Sequence, residues 1–206
     1  MIKPATQLLL ASTNLGKLRE MQALLSDISV ELITPKMLGI DLDVDEHGST
    51  YAENASLKAV AYSQASGMLT LADDSGLEVE ALEGAPGLYS ARYSPIANAN
   101  DADRRAHLLE NLEGQPRPWL ARFRCVVALA APGKEVYFAE GNCSGEIIPE
   151  ERGGSGFGYD PIFLLPELGK TMAELSLEEK NQLSHRARAV MAAKPRLLTM
   201  LTGHSD

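Results

Sequence analysis

The segment Gly153-Gly154-Ser155-Gly156-Phe157-Gly158-Tyr159-Asp160-Pro161 sets two aromatic rings and a carboxylate among closely spaced glycines. Glycine lets a backbone turn tightly and approach a ligand closely. The rings of Phe157 and Tyr159 can stack on a flat heterocycle, and Asp160 can hydrogen-bond to it. The structural alternative is a flexible turn whose aromatics pack in the core. Further on, Ser184-His185-Arg186 follows Lys180. A guanidinium can donate two hydrogen bonds to a carbonyl-rich edge such as that of a purine. Surface charge on an amphipathic helix accounts for Lys180 equally well.

Two further segments suit phosphate and metal. Ser12-Thr13-Asn14-Leu15-Gly16-Lys17 follows an apolar run with a small polar turn and then a helical pattern. Free backbone N–H groups, the positive end of a helix and the Lys17 ammonium would favour phosphate there. The spacing is not that of a Walker A loop, and an N-cap at Ser12, Thr13 or Asn14 is the plain alternative. Asp73-Asp74-Ser75-Gly76 ends another apolar run. Adjacent carboxylates repel unless a cation or hydrogen bonds stabilise them, and alternation along a strand directs only one of the pair toward a given face. One could hold Mg2+ or orient a water; an ordinary Asp-Ser-Gly turn is the alternative. Asp43, Asp45 and Glu46 form an acidic cluster that fits a solvated loop or a second metal carboxylate.

The elements that must position these residues alternate along the chain. Residues 7–11 read as a buried strand, followed by a helix with Leu18, Met21 and Leu24 on one face. Thr50-Tyr51-Ala52-Glu53 reads as a capping box opening a helix to Ser66, stopped by Gly67. Residues 68–72 read as a strand that ends at Asp73. A helix is expected over 101–112 and a strand over 121–130, then a turn at Pro132-Gly133-Lys134 into a strand over 135–140. Residues 144–148 and 161–165 read as further strands. Ser176-Leu177-Glu178-Glu179 is a second capping box, and the closing helix over 187–201 meets a kink or break at Pro195. Early alternation of strand and helix with hairpins in the middle predicts an α/β fold with a mixed sheet flanked by helices.

The 206 residues carry 45% hydrophobic and 23% charged side chains, as expected of one soluble globular domain over 1–206. Neither a membrane span nor a secretory signal is legible, so a cytoplasmic protein is expected. A formal net charge of −9 argues against nucleic-acid or anionic-membrane partners and leaves room for a small anionic ligand. Cys125 and Cys143 have no metal-ligand spacing and read as free buried thiols.

With these residues on the page, the sequence resembles the inosine triphosphate pyrophosphatase family. The resemblance rests on Ser12 to Lys17, Glu53-Asn54-Ala55 with Lys58-Ala59, Ala72 to Leu77, Gly84 to Tyr93, Gly156 to Pro161 and Ser184-His185-Arg186. It implies a long mixed sheet in two lobes with a nucleotide cleft between them, usually in a homodimer. It also implies Mg2+-dependent cleavage of non-standard purine nucleoside triphosphates (ITP, dITP, XTP) to monophosphate and pyrophosphate. By motif, Ser12, Thr13, Asn14, Leu15, Gly16 and Lys17 would cradle the triphosphate, and Asp74 would be general base and metal ligand. Ser75 would contact substrate. Phe157, Gly158, Tyr159, Asp160, Lys180, His185 and Arg186 would surround the base. Asp45 would be the second metal ligand, but Asp45-Glu46-His47-Gly48 stands where the family often has Glu-Glu-Thr-Gly, and because aspartate is one methylene shorter the resemblance leaves open whether Asp45 or Glu46 reaches the metal.

Overall fold

A computed structural model of the protein describes residues 6–202. Its seven strands form one mixed sheet, flanked by helices, in the order β2-β1-β3-β4-β5-β6-β7. β1 (Gln7–Leu10) lies parallel to β2 (Glu31–Ile33) and to β3 (Thr70–Val79), with Leu9 opposite Ile33 and Thr70. β4 (Trp119–Ala130) and β5 (Tyr137–Ile147) are the long central strands, and β6 (Phe163–Leu165) runs antiparallel to β5 and to β7 (Lys170–Thr171).

The chain forms two compact units, and β3, β4 and β5 contribute residues to each. The first comprises the chain up to Asp74, Cys125–Gly141 and the chain from Arg186. Its core joins Leu8, Leu10 and Leu71 to Val127 and Leu129, and to Ala189, Val190, Ala193 and Leu197 of α5 (His185–Thr202). The second comprises Ser75–Arg124 and Asn142–His185. Its core joins Leu77, Val79, Phe123, Ile147 and Phe163 to Leu108 and Leu112 of α3 (Asp101–Leu112). β4 shows the change of environment directly. Leu120 and Arg122 are exposed between buried Trp119, Ala121 and Phe123, whereas Cys125 to Ala130 are buried without a break. Alternation marks a sheet with one wet face, and a continuous apolar run marks a strand covered on both.

The helices start where side chains satisfy their orphan N–H groups. Asn14 caps α1 (Leu15–Leu24) through the Lys17 N–H, Thr50 caps α2 (Tyr51–Ser66) through the Glu53 N–H, and Ser176 caps α4 (Leu177–Leu183) in a full capping box. At α2 the expected reciprocal bond is displaced by one residue. Glu53 reaches back to the N–H and hydroxyl of Ser49 instead of the Thr50 N–H.

Three expectations are corrected. The strand foreseen over 68–72 does not stop at Asp73 but runs to Val79, because the Asp pair is stabilised by cations and Leu77 and Val79 resume the buried pattern. The strands foreseen over 135–140 and 144–148 are one strand, β5, passing through Gly141 and Gly145. Gly145 is needed there, since a Cβ would lie 2.5 Å from Phe163. Finally, α5 continues through Pro195 without ending, and it starts at His185. No helix among the described residues is long and apolar enough to cross a membrane.

Candidate active site

The first unit gathers four cationic or amide groups around the two adjacent aspartates of β3. Asp73 and Asp74 have different partners, as strand alternation requires. Asp73 is 2% exposed and receives the Lys17 ammonium at 3.0 Å. The Arg186 guanidinium reaches the same Oδ2 through Nε and Nη2, both at 3.2 Å, and pairs through Nη1 with buried Glu20. Burial alone would raise the Asp73 carboxyl, but Lys17, Arg186 and Lys58 outweigh it and hold the group well below the usual carboxylate range. Asp73 is therefore a fixed negative charge that aims Lys17 and orders Arg186.

Asp74 sits among weaker partners. Asn54 Nδ2 donates to its Oδ2 at 3.1 Å, and the Lys58 ammonium stands 3.8 Å from its Oδ1. Burial pushes the Asp74 carboxyl above its ordinary value, with Lys58, Lys17 and the Asn54 bond opposing. A carboxylate whose proton affinity is raised while it stays hydrogen-bonded and oriented suits a general base. Asn54 and Lys58 are one turn apart on α2, so one helix face presents both. In the sequence, the four-residue spacing of Asn54 and Lys58 within a helical pattern is the signal that places them together.

Lys58 also joins Glu46, whose Oε2 lies 3.0 Å from the ammonium. Burial lowers the Lys58 pKa, but Asp73, Asp74 and Glu46 outweigh that and raise it, so it stays charged. Asp45, expected as the second metal ligand, has a side chain 91% exposed, with its Oδ2 3.8 Å from His47 Nδ1. Glu46 is the acid of that loop that shares a cation with Asp74. Gly48 lets the loop close on α2: its N–H donates to Asn54 Oδ1 at 2.8 Å, and a Cβ would lie 2.6 Å from that of Glu53.

The segment from Ser12 to Lys17 forms the start of α1. Ser12 Oγ accepts from the Asn14 N–H, Asn14 Oδ1 accepts from the Lys17 N–H, and Thr13, Asn14 and Leu15 are exposed. Asn14 is thus the cap of α1, and Lys17 stands in its first turn. Cys125 donates weakly to Asp73 Oδ2, and burial and then Asp73 push its thiol up, so it is no nucleophile.

In the second unit the glycine-aromatic segment is ordered by side chains. Asp160, 3% exposed, accepts from the Phe157 N–H at 2.8 Å and from the Lys180 ammonium at 2.6 Å. Lys180 in turn stands 5.1 Å from the centre of the half-buried Phe157 ring. Both bonds tie Asp160 to its own neighbours in the fold. Gly156 has φ +78°, and a Cβ would fall 2.1 Å from Asp160 Oδ2. Tyr159 is buried, and its hydroxyl donates to the Ser90 carbonyl at 2.9 Å, as a core residue does. The His185 ring stacks on Phe123 at 4.7 Å between centroids. Ser75, next after Asp74 on β3, is partly exposed.

A model of the Ham1 family matches residues 8–196. The chain belongs to the Ham1 family. This Ham1 protein is 46% identical over 188 residues to a dITP/XTP pyrophosphatase of Desulforamulus reducens, covering 91% of this chain and 93% of that one. It is 49% identical over 185 residues to a dITP/XTP pyrophosphatase of Geobacillus kaustophilus, covering 89% and 90% respectively. The solved structure of the Staphylococcus aureus Ham1 protein superposes with a TM-score of 0.82 at 42% identity, covering 94% of this chain and 99% of that one.

Proposed function

We propose that this protein is a nucleoside triphosphate pyrophosphatase that hydrolyses non-standard purine nucleotides such as dITP, ITP and XTP to the monophosphate and pyrophosphate. The observation that carries the reading is Asp74: a buried carboxylate with raised proton affinity, oriented by Asn54, beside cations suited to phosphate. The related dITP/XTP pyrophosphatases supply the substrate class.

In this mechanism Asp74 takes a proton from a water whose oxygen attacks the α-phosphorus. The bond from that phosphorus to the α,β-bridging oxygen breaks, and pyrophosphate leaves. The N–H groups at the start of α1 and the Lys17 ammonium supply fixed positive potential to the phosphate oxygens, with Asp73 aiming Lys17. Among the described residues no three His, Cys, Asp or Glu cluster as a metal cage. Mg2+ does not need one, because it takes one or two carboxylates plus waters and substrate phosphates. Asp74 and Glu46 fit such a site, since both already address a cation in Lys58. Bound there, Mg2+ would neutralise phosphate charge and stabilise the leaving pyrophosphate.

Phe157 is the stacking ring for the base, held by Asp160 and Lys180. His185 and Arg186 are the donors proposed for the six-carbonyl of hypoxanthine or xanthine. Both are pre-ordered, His185 by Phe123 and Arg186 by Glu20 and Asp73. Adenine presents an amino donor at that position, and an unpaired buried donor costs about 1–3 kcal/mol, roughly tenfold to a hundredfold in selectivity. The subunits are proposed to pair as a homodimer.

The test is a panel of ITP, dITP, XTP, ATP and dTTP assayed for pyrophosphate release in Mg2+. Turnover should favour ITP, dITP and XTP, and Asp74→Asn should abolish it in a folded protein. Stoichiometric ITP binding without turnover by the unaltered protein would instead mark a nucleotide-binding regulator.

A further inference from the structure

The peptide of Gly158, between Phe157 and Tyr159, is gripped from both sides by α3, an element remote in sequence. Its N–H donates to Asp101 Oδ2 at 2.7 Å, and its carbonyl accepts from Arg105 Nη1 at 2.9 Å. Asp101 and Arg105 are one turn apart at the start of the helix, so a single face offers an acceptor and a donor to one residue. Each is itself held. Arg105 is locked by Glu151, which takes Nε at 2.8 Å and Nη2 at 2.9 Å in a bidentate pair. Asp101 Oδ1 accepts from Arg104, whose Nη1 also donates to the Ala99 carbonyl. Asn100 and Asp103 close a capping box that fixes the first turn.

The segment thus has three independent anchors. Asp160 and Lys180 hold Phe157, Ser90 holds Tyr159, and α3 holds the glycine between them. Gly158 has φ +60°, a backbone state that only external bonds make unique in so permissive a residue. Without α3, Phe157 would keep the bond from its main-chain N–H to Asp160 but lose the fixed direction of the peptide that follows it.

We propose that Asp101 and Arg105, with Glu151 behind Arg105, are positioning residues for base selection. They would set the plane of Phe157 by fixing the Gly158 peptide. This assignment rests on the proposed function, because it takes Phe157 as the ring on which the purine stacks. Such residues act through geometry, so their loss should weaken recognition of the base and spare the hydrolytic step.

The experiment compares Arg105→Ala, Asp101→Ala and Asp101→Asn with the unaltered protein. Hydrogen exchange of the amides over 157–159 is measured alongside KM and kcat for ITP and ATP, with thermal unfolding as a check on folding. Arg105→Ala and Asp101→Ala should exchange faster there, raise KM for ITP about tenfold with kcat little changed, and narrow the ITP-to-ATP ratio in kcat/KM. Asp101→Asn keeps an acceptor for the Gly158 N–H and should restore most of the ratio. A general loss of stability would lower both activities together and leave the ratio alone. Unchanged exchange over 157–159 overturns the brace whatever the substrate is. Faster exchange with an unchanged ratio overturns its role in selection. If the unaltered protein does not cleave ITP, the proposed function fails and the selection role fails with it, while the exchange result still judges the brace.

Discussion

Asn54 donates to Asp74 Oδ2 at 3.1 Å while its own Oδ1 accepts from the Gly48 N–H at 2.8 Å, so the amide is locked between a loop and a carboxylate. The bond favours the ionised form of Asp74 and opposes the upward push of burial. Removing it should raise the Asp74 pKa further. The proposed mechanism needs Asp74 ionised, so Asn54→Ala should shift the acid limb of the kcat/KM profile for ITP to higher pH. The reading is a pH–rate profile with folding checked by circular dichroism. A limb at the same pH would mean that Asp74 is not the group titrating there.

Glu46 and Asp45 make opposite predictions about the metal. Glu46 shares Lys58 with Asp74, whereas the Asp45 side chain lies almost wholly in solvent. Glu46→Gln should raise the Mg2+ concentration needed for half-maximal activity by about tenfold or more, the effect of losing one of few carboxylate ligands. Asp45→Asn should leave that requirement within about twofold. A magnesium titration of both variants decides, and the reverse order would return the ligand role to Asp45.

Much of this was legible in the sequence because periodicity and caps are local. α2 and α3 begin and end where Thr50, Gly67, Asp101 and Leu112 placed them, and the mixed sheet followed from the alternation of elements. Several failures share one cause: partners distant in sequence. Asp-Asp-Ser-Gly reads as a turn until Lys17, Asn54, Lys58 and Arg186 arrive to stabilise two carboxylates inside a strand. Likewise, nothing near Gly158 announces that Asp101 and Arg105, more than fifty residues earlier, hold its peptide. The acid that meets Lys58 was undecidable for a different reason, since one residue of loop register separates Asp45 from Glu46.

Arg186 carries two loads that different substitutions separate. It neutralises two buried carboxylates, Glu20 and Asp73, and it is a proposed donor to the base. Arg186→Ala removes the guanidinium that these two buried carboxylates share, leaving Asp73 with Lys17, and breaking a buried ion pair typically costs about 3–5 kcal/mol. The Asp73 carboxyl, now held low partly by Arg186, would rise. A depressed carboxylate stabilises the fold above its unfolded pKa and loses that contribution as pH falls through the folded value. Acid unfolding of Arg186→Ala should therefore begin at higher pH than in the unaltered protein. Arg186→Lys keeps the charge but lacks the planar fork. It should unfold at a temperature between the other two and narrow the ITP-to-ATP ratio in kcat/KM. An unchanged ratio in that variant would move base discrimination to His185 and the Phe157 segment.

Gly156 tests whether the glycine-aromatic segment works by geometry, and Gly133 supplies the control. Both have positive φ, +78° and +70°. An alanine at either position should lose roughly 1–2 kcal/mol to the left-handed backbone. They differ in surroundings: a Cβ at Gly133 meets nothing within 4 Å, whereas one at Gly156 would lie 2.1 Å from Asp160 Oδ2. That oxygen accepts from both the Phe157 N–H and Lys180. Gly156→Ala must therefore displace the Asp160 side chain that holds Phe157, the proposed stacking ring, as well as strain the chain. Gly133→Ala should lower the unfolding temperature and leave KM for ITP unchanged. Gly156→Ala should lower it further and raise KM for ITP by about tenfold, the scale of one charge-assisted hydrogen bond. If the two variants lose stability equally and neither alters KM, then the Asp160 brace does not set how the nucleotide is held.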